Sequence, residues 1–235
     1  MQLDMERGDL LLVDKPVGWT SFDVVNKLRG ALRSVLGRRI KVGHAGTLDP
    51  LASGLLVIGF GARTKDLPLL TGQDKVYTGT LRLGQTTPSY DAESPVQDEK
   101  PWEHVGLADI EAVLGQFRGE LMQRPPSFSA KRFEGERAYF LARDGAKVDL
   151  PPVPVRIDRL LITGMEGPHV HFEVACSKGT YIRSLAHDLG QALGTGAYLS
   201  ALRRHRSGEL DLAHARTPQQ WSIWFDEWAK AHPRS

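Results

Sequence analysis

The residues with the most chemistry to offer gather in one short segment of this chain, Gly43-His44-Ala45-Gly46-Thr47-Leu48-Asp49-Pro50. Asp49 is a carboxylate in a glycine-rich loop, two residues after a threonine and directly before a proline. That pattern has two readings. In one, Asp-Pro starts a turn and the carboxylate bonds nearby backbone amides. In the other, the loop presents an ionised carboxylate as a nucleophile or base. His44, five residues earlier, can act as a base or contact a phosphate, and a lone histidine decides for neither.

Two basic blocks accompany this segment. Arg29, Arg33, Arg38, Arg39 and Lys41 follow one another with no acid between them, and Arg203-Arg204-His205-Arg206 forms a second cluster. Such blocks neutralise a phosphate backbone, or else they are solvated faces. Other chemistry is excluded by pattern. Gly59-Phe60-Gly61 lacks the third glycine of a dinucleotide fingerprint, and no Gly-Lys-Ser phosphate loop is present. His169 and His171 share one strand face, but no further ligand pattern completes a metal site, so they read as an exposed face.

Composition sets the frame. The 235 residues suffice for one large domain or two small ones, and 41% hydrophobic with 25% charged residues is the balance of an ordinary globular protein. A net charge of +2 says nothing about nucleic acid by itself. The single Cys176 excludes an internal disulfide and suits a reducing compartment. No stretch approaches the roughly 18 apolar residues of a membrane span, and the N-terminus lacks a basic head followed by an apolar run. A cytoplasmic protein is expected.

The elements that must position Asp49 follow from periodicity. Leu10–Val13 reads as a strand ended by a turn at Asp14–Gly18. Thr20 or Ser21 caps a helix whose apolar face is Phe22, Val25, Leu28, Leu32 and Val35, ending near Gly37. Leu55–Gly59 is a buried strand, and Lys75–Leu83 alternates with Tyr77, Gly79, Leu81 and Leu83 on one face. A short helix spans Leu107–Leu114, and another is expected over Glu134–Arg143. Strands return at Val155–Ile162 and Val170–Cys176, then Ser177–Thr180 turns and caps a helix over Tyr181–Leu193. In the last stretch, Trp221, Trp224, Phe225 and Trp228 recur at helical spacing, the mark of a terminal helix docking an aromatic stripe on the core. Without strict alternation of strand and helix, the fold class is α+β.

Taken together, several segments resemble the TruB family of bacterial tRNA pseudouridine-55 synthases. They are Leu11–Pro16 with Gly18-Trp19-Thr20-Ser21, Lys41–Gly54, Asp74-Lys75-Val76-Tyr77, and Leu83–Thr87 with Tyr90-Asp91-Ala92-Glu93. Gln123–Ala130, Cys176–Arg183 and Leu202-Arg203-Arg204 complete the set, in the family's order and spacing over about residues 9–217. The resemblance implies a mixed, mainly antiparallel sheet flanked by helices, forming a catalytic domain over 1–217. Within it, 123–151 matches a mobile insertion that clasps the RNA. It assigns Asp49 as the essential carboxylate, Arg183 as its paired arginine, Tyr77 and Tyr181 as active-site tyrosines and Leu202 as a wall of the base pocket. His44, Lys15 and Arg203 fall among the substrate-binding residues.

The implied partner is the TΨC stem-loop of tRNA, bound by a monomer without guide RNA, membrane, metal or organic cofactor. Family members commonly carry a second RNA-binding domain called PUA, whereas about 18 residues follow Thr217 here. The expectation is therefore a short helical tail over 218–235 in place of most or all of that domain. Asp49 then has three possible roles: attack on the ribose carbon, attack on the pyrimidine ring, or removal of a ribose proton. A non-catalytic RNA-binding protein, a guide-dependent synthase subunit and a uracil-releasing hydrolase are the competing readings.

Overall fold

The computed structural model describes residues 3–128, 132–133, 136–137 and 150–233. In chain order the elements are β1 (Leu10–Lys15), α1 (Ser21–Leu36), β2 (Val42–Ala45), β3 (Ala52–Phe60), α2 (Leu67–Thr71) and β4 (Lys75–Leu83). Then come β5 (Gln85–Thr86), β6 (Asp98–Glu99), α3 (Leu107–Leu114), β7 (Gly119–Gln123), β8 (Arg132–Phe133) and β9 (Glu136–Arg137). They are followed by β10 (Val153–Glu166), β11 (His169–Cys176), α4 (Ile182–Ala192), β12 (Ala197–Ser207), β13 (Leu210–Asp211) and α5 (Pro218–Ala231). The chain divides into two compact units, Met1–Tyr77 with Arg203–Ser235, and Thr78–Leu202; β4 and β12 each run through both.

In the first unit the strand order is β1-β3-β12, with β2 on β3 and β13 on β12. β3 pairs antiparallel with β1, from Leu10↔Gly59 to Lys15↔Gly54, and with β2, from Val42↔Phe60 to Ala45↔Val57. Almost every residue of β3 is buried, as a continuous apolar run requires. Ala45, Leu55 and Val57 pack against Leu10, Leu12, Leu67, Leu70 and Leu212. α1 begins with a capping box: the Thr20 hydroxyl accepts from the Asp23 amide, and the Asp23 carboxylate accepts from the Thr20 amide. The Thr20 hydroxyl, which donates to Asp23 Oδ2 at 2.6 Å, and then the Thr20 amide hold the Asp23 carboxyl below the usual carboxylate range. The helix stops at Gly37, whose φ of +67° is the left-handed stop that glycine allows.

Phe22 departs from expectation. It is 59% exposed, and the buried stripe is Ser21, Val24, Val25, Leu28, Leu32 and Val35. The inward position in the first turn goes to Ser21, whose hydroxyl is bonded to the backbone of Leu48, and Phe22 instead lies under the Arg29 guanidinium. α5 fulfils the reading of the aromatic stripe. Trp221 and Phe225 are fully buried, and the Trp221 indole donates to Leu12 O at 2.9 Å. Burying each such side chain stabilises the unit by about 1.5–3 kcal/mol.

In the second unit the order is β12-β4-β11-β10-β7, with antiparallel ladders between β10 and β11 and between β10 and β7. Val170, Phe172, Val174 and Cys176 of β11 all point into the core. A Cβ at Gly79 would stand 2.4 Å from the Phe172 ring, so this glycine makes the room that the ring fills. An isolated parallel bridge joins Asp91 to Leu199 here, and another joins Val13 to Arg216 in the first unit. The expected α+β, mainly antiparallel architecture is what folds. The helix expected over Glu134–Arg143 lies outside the described residues, save that Glu136–Arg137 pair with Arg132–Phe133 as a small hairpin. Most of the expected mobile insertion, 123–151, likewise lies outside them. Among the described residues no helix is long and apolar enough to cross a membrane.

α4 carries a titration with a measurable signature. Asp188 is half-buried, and burial pushes its carboxyl up to about 6 from 3.8. Burial also pushes the imidazoles of His44, in the first unit, and His187, in the second, below 6.5. The two effects oppose each other on acidification. The histidines bind protons more readily in the unfolded chain, so stability falls as pH drops below about 6.5. Asp188 binds its proton more readily in the fold, so its penalty is full at neutral pH and fades as pH falls from 6 toward 4. Asp188→Asn is expected to raise Tm at pH 8 by about 2–4 °C and to lose that advantage at pH 4. Melting curves across that range check it; a shift independent of pH would show that the carboxylate charge is not the cause.

Candidate active site

The loop bearing Asp49 connects β2 to β3 in the first unit. The Ala52 amide donates to Asp49 O at 3.0 Å, so the Asp-Pro pair does start a turn, through its backbone. Three buried side chains fasten the loop. Ser21 Oγ donates to Leu48 O (3.0 Å) and accepts from Leu48 N (2.9 Å). Lys15, 0% exposed, directs its ammonium at the carbonyls of Trp19 (2.5 Å), Pro16 (3.0 Å) and Pro50 (3.5 Å). Gly18 N–H donates to the same Pro50 carbonyl at 2.8 Å, tying the turn after β1 to the turn at Asp49. A buried ammonium needs such acceptors, and in exchange it stiffens both turns.

Arg204 is the third fastener. The basic cluster on β12 was read as a phosphate-binding block or a solvated face, and for Arg204 it is neither. The side chain is 2% exposed, donating from Nε to Leu55 O (2.6 Å) and from Nη2 to Gly46 O (3.0 Å). Strand alternation accounts for this, since β12 turns Arg204 inward while Arg203 and His205 on either side are only half-buried. Gly54, at φ +98°, makes the close approach possible: a Cβ there would sit 2.3 Å from Arg204 O. Arg203 pairs with Asp14 at 2.8 Å and reaches Ser53 at 3.2 Å. Being half-exposed, that ion pair is worth at most about 1 kcal/mol. His44 lies opposite Ile58 on β2, half-buried, with a buried Nδ1 that has no hydrogen-bond partner. Burial first, and then the Arg204 charge, lower its pKa, so the imidazole is neutral at pH 7. Tyr77, on β4, is 8% exposed.

The second unit holds Tyr181, Arg183 and Leu202. Arg183 is buried at the start of α4, donating to Ser89 O at 3.2 Å and to Phe128 O at 2.9 Å. Its guanidinium stands 3.5 Å from Asp91 Oδ2, and Asp91 is 1% exposed. The other Asp91 oxygen accepts from Ser89 Oγ (2.5 Å) and from the Glu93 amide (3.0 Å). Charged groups this deep are retained only when paired and bonded in this way. Thr180 was expected to cap α4, but its hydroxyl donates back to Ser177 O and closes the turn there. The cap position is Tyr181, with no side-chain cap of its own. Its backbone is gripped by the buried Gln123 amide, which accepts from Tyr181 N (2.8 Å) and donates to Tyr181 O (3.0 Å). Leu202 lies on β12, half-buried.

Ser21, Asp91, Ser89 and Gln123 carry no catalytic or binding role in the sequence reading, and Arg204 enters it only within the basic block on β12. Ser21, Asp91, Gln123 and Arg204 do lie in the segments that carry the resemblance. Among the described residues no group of three His, Cys, Asp or Glu is arranged to hold a metal ion.

Comparison with known proteins fits this geometry. The TruB family pseudouridylate synthase N-terminal domain matches residues 33–182, and the tRNA pseudouridylate synthase B C-terminal domain matches 183–227. The chain is 46% identical over 226 residues to tRNA pseudouridine synthase B of Parabacteroides distasonis, covering 96% of each chain. It is 46% identical over 210 residues to the protein of that name from Flavobacterium johnsoniae, covering 88% of this chain and 92% of that one. Among solved structures it is similar to one chain of a Cbf5–Nop10–Gar1 complex, with a TM-score of 0.73 and 29% identity over 98% of its length. It spans 58% of that longer chain. The class these define is an RNA pseudouridine synthase, an isomerase. The chain belongs to the TruB family.

Proposed function

We propose that this chain, acting as a monomer and without a guide RNA, isomerises uridine 55 in the TΨC arm of tRNA to pseudouridine. The N1–C1′ bond breaks and a C5–C1′ bond forms; the C5 proton leaves and N1 gains one, so the reaction balances with no redox partner. The target nucleotide must be flipped out of the folded arm at a cost of a few kcal/mol. In this reading Tyr77 stacks on the extruded base, returning about 1–3 kcal/mol, while Tyr181 and Leu202 complete its pocket. Asp49 is the essential carboxylate, and Arg183 is assigned with it to the catalytic residues. His44 and Arg203 engage the RNA, and Lys15 serves through the two turns that its buried ammonium holds. Residues 1–217 form the catalytic domain, with 123–151 clasping the arm and 218–235 as a helical tail.

The fastened Asp49 loop carries this reading. A simple surface turn would not need Ser21, Lys15 and Arg204 buried against its backbone at Leu48, Pro50 and Gly46. The relatives' name, tRNA pseudouridine synthase B, supports the substrate class. Pseudouridine mapping on an unmodified tRNA transcript incubated with the chain alone tests it. One modified uridine in the T arm, with the RNA mass unchanged, is the expected result. A requirement for added guide RNA, or a loss of mass marking a released uracil, would overturn it.

A further inference from the structure

α4 presents Arg183 and His187 four residues apart, one turn along the same face. The loop that supplies the Arg183 partner carries Tyr90 beside Asp91. Tyr90 is the one non-glycine residue among those described with a positive φ, +63°. L residues adopt that state rarely and at a cost, and it persists only where the surroundings enforce it. Here the surroundings are explicit. Tyr90 N–H donates to Thr87 O (3.2 Å), Leu199 N–H donates to Tyr90 O (2.9 Å), and Ala92 N–H donates to Leu199 O (3.1 Å). The Tyr90 ring lies flat on the His187 imidazole, centroids 3.8 Å apart and planes within 15°. Two successive loop residues therefore reach one face of α4, Tyr90 onto His187 and Asp91 toward Arg183.

We propose that the Tyr90–His187 stack is a positioning device that aims the Asp91 carboxylate at Arg183 and so sets the guanidinium for the isomerisation. The inference rests on the role assigned to Arg183 above. The backbone bonds fix where the loop lies, Ser89 Oγ and the Glu93 amide hold one Asp91 oxygen, and the stacked ring adds the contact that keeps the Tyr90 torsion, and with it the Asp91 side chain, in its place. A cleft of about 340 Å³ adjoins both rings, lined also by Thr86, Gln97, Lys100 and Gln191. Both residues line this cleft, and each packs the face of its ring on the other. His187 Nδ1 is buried without a hydrogen-bond partner, and burial keeps the imidazole neutral at pH 7. The residue thus offers the stack its flat face, with Nδ1 taking no hydrogen bond.

The experiment measures single-turnover pseudouridine formation on a tRNA transcript with enzyme in excess, and transcript affinity separately. Tyr90→Gly keeps the positive φ accessible while deleting the ring, so it folds without strain; His187→Ala deletes the other face. Each is expected to slow the single-turnover rate by about 10–100-fold, as a small misplacement of a site group does, with Kd unchanged. The double variant is no slower than the singles, because the two rings act as one unit. Tyr90→Phe and His187→Phe restore the rate. Wild-type rates for the ring deletions, or phenylalanine variants as slow as the deletions, overturn the proposal. Arg183→Met separates it from its premise. A fast Arg183→Met removes the assigned role of Arg183, whereas a slow Arg183→Met beside fast ring deletions removes only the stack.

Discussion

Asp49→Asn is expected to lower the single-turnover rate of pseudouridine formation by at least about 10³-fold while the protein stays folded and binds tRNA. The substitution keeps size and shape and removes only the charge. The loop is fastened at its backbone: the turn is closed through Asp49 O, Ser21 grips Leu48, and Lys15 and Gly18 grip Pro50. Asparagine leaves each of those bonds in place, so Tm and transcript affinity are expected to stay near wild type while the rate falls. Tritium release from tRNA labelled at uridine C5 is the measurement. Equal release by Asp49→Asn and wild type would end the catalytic assignment. Asp49→Glu is a useful companion. It restores the charge but moves it by one methylene, and a displacement of about 1 Å costs on the order of 10²-fold in a site built on geometry. A carboxylate acting only through the electrostatic field of the site would tolerate that move.

Much of the scaffold could be read from local pattern. β1, β3, β4, β11, α1 and α5 fall close to where periodicity places them, because each buries one face whose spacing is written in consecutive residues. Thr20 or Ser21 marked the start of α1, and Gly37 its end. The Asp49 segment stood out by composition, but its role came from the resemblance, since Asp-Pro alone describes a turn as well as a site. What pattern could not supply was pairing at a distance. Asp91 and Arg183 are 92 positions apart, and Gln123 holds the backbone of a residue 58 positions away. Neither partner carries a mark that names the other. Phe22 shows a subtler failure: hydrophobicity favoured it for the inward position, but a serine hydroxyl was needed there to hold Leu48.

Arg204 is the strongest case of a residue whose type misleads, and its replacement is the second large effect expected. A run of Arg-Arg-His-Arg reads as surface, yet this one guanidinium spans Leu55 O and Gly46 O inside the first unit. Arg204→Met fills much the same volume but leaves both carbonyls without their donor. Each loss costs about 1–3 kcal/mol, so Tm should fall by roughly 5–15 °C in a chain of this size. Arg204→Lys recovers only part, because a single ammonium cannot reproduce the forked geometry. Two further consequences separate this from plain destabilisation. First, the Gly46 carbonyl opens the Asp49 loop, so at temperatures where the variant is fully folded the single-turnover rate should still drop. Second, the Arg204 charge is one of two causes lowering the His44 pKa, and the lesser one. Without that charge, the imidazole should titrate at a higher pH in an NMR titration, yet remain below 6.5 because burial persists. A variant that melts early with an unmoved His44 titration would mean that Arg204 acts through its two hydrogen bonds and that its charge does not reach His44. If the rate of the folded Arg204→Met protein matches wild type, then Gly46 O is not what aims Asp49, and the fastening falls to Ser21 and Lys15.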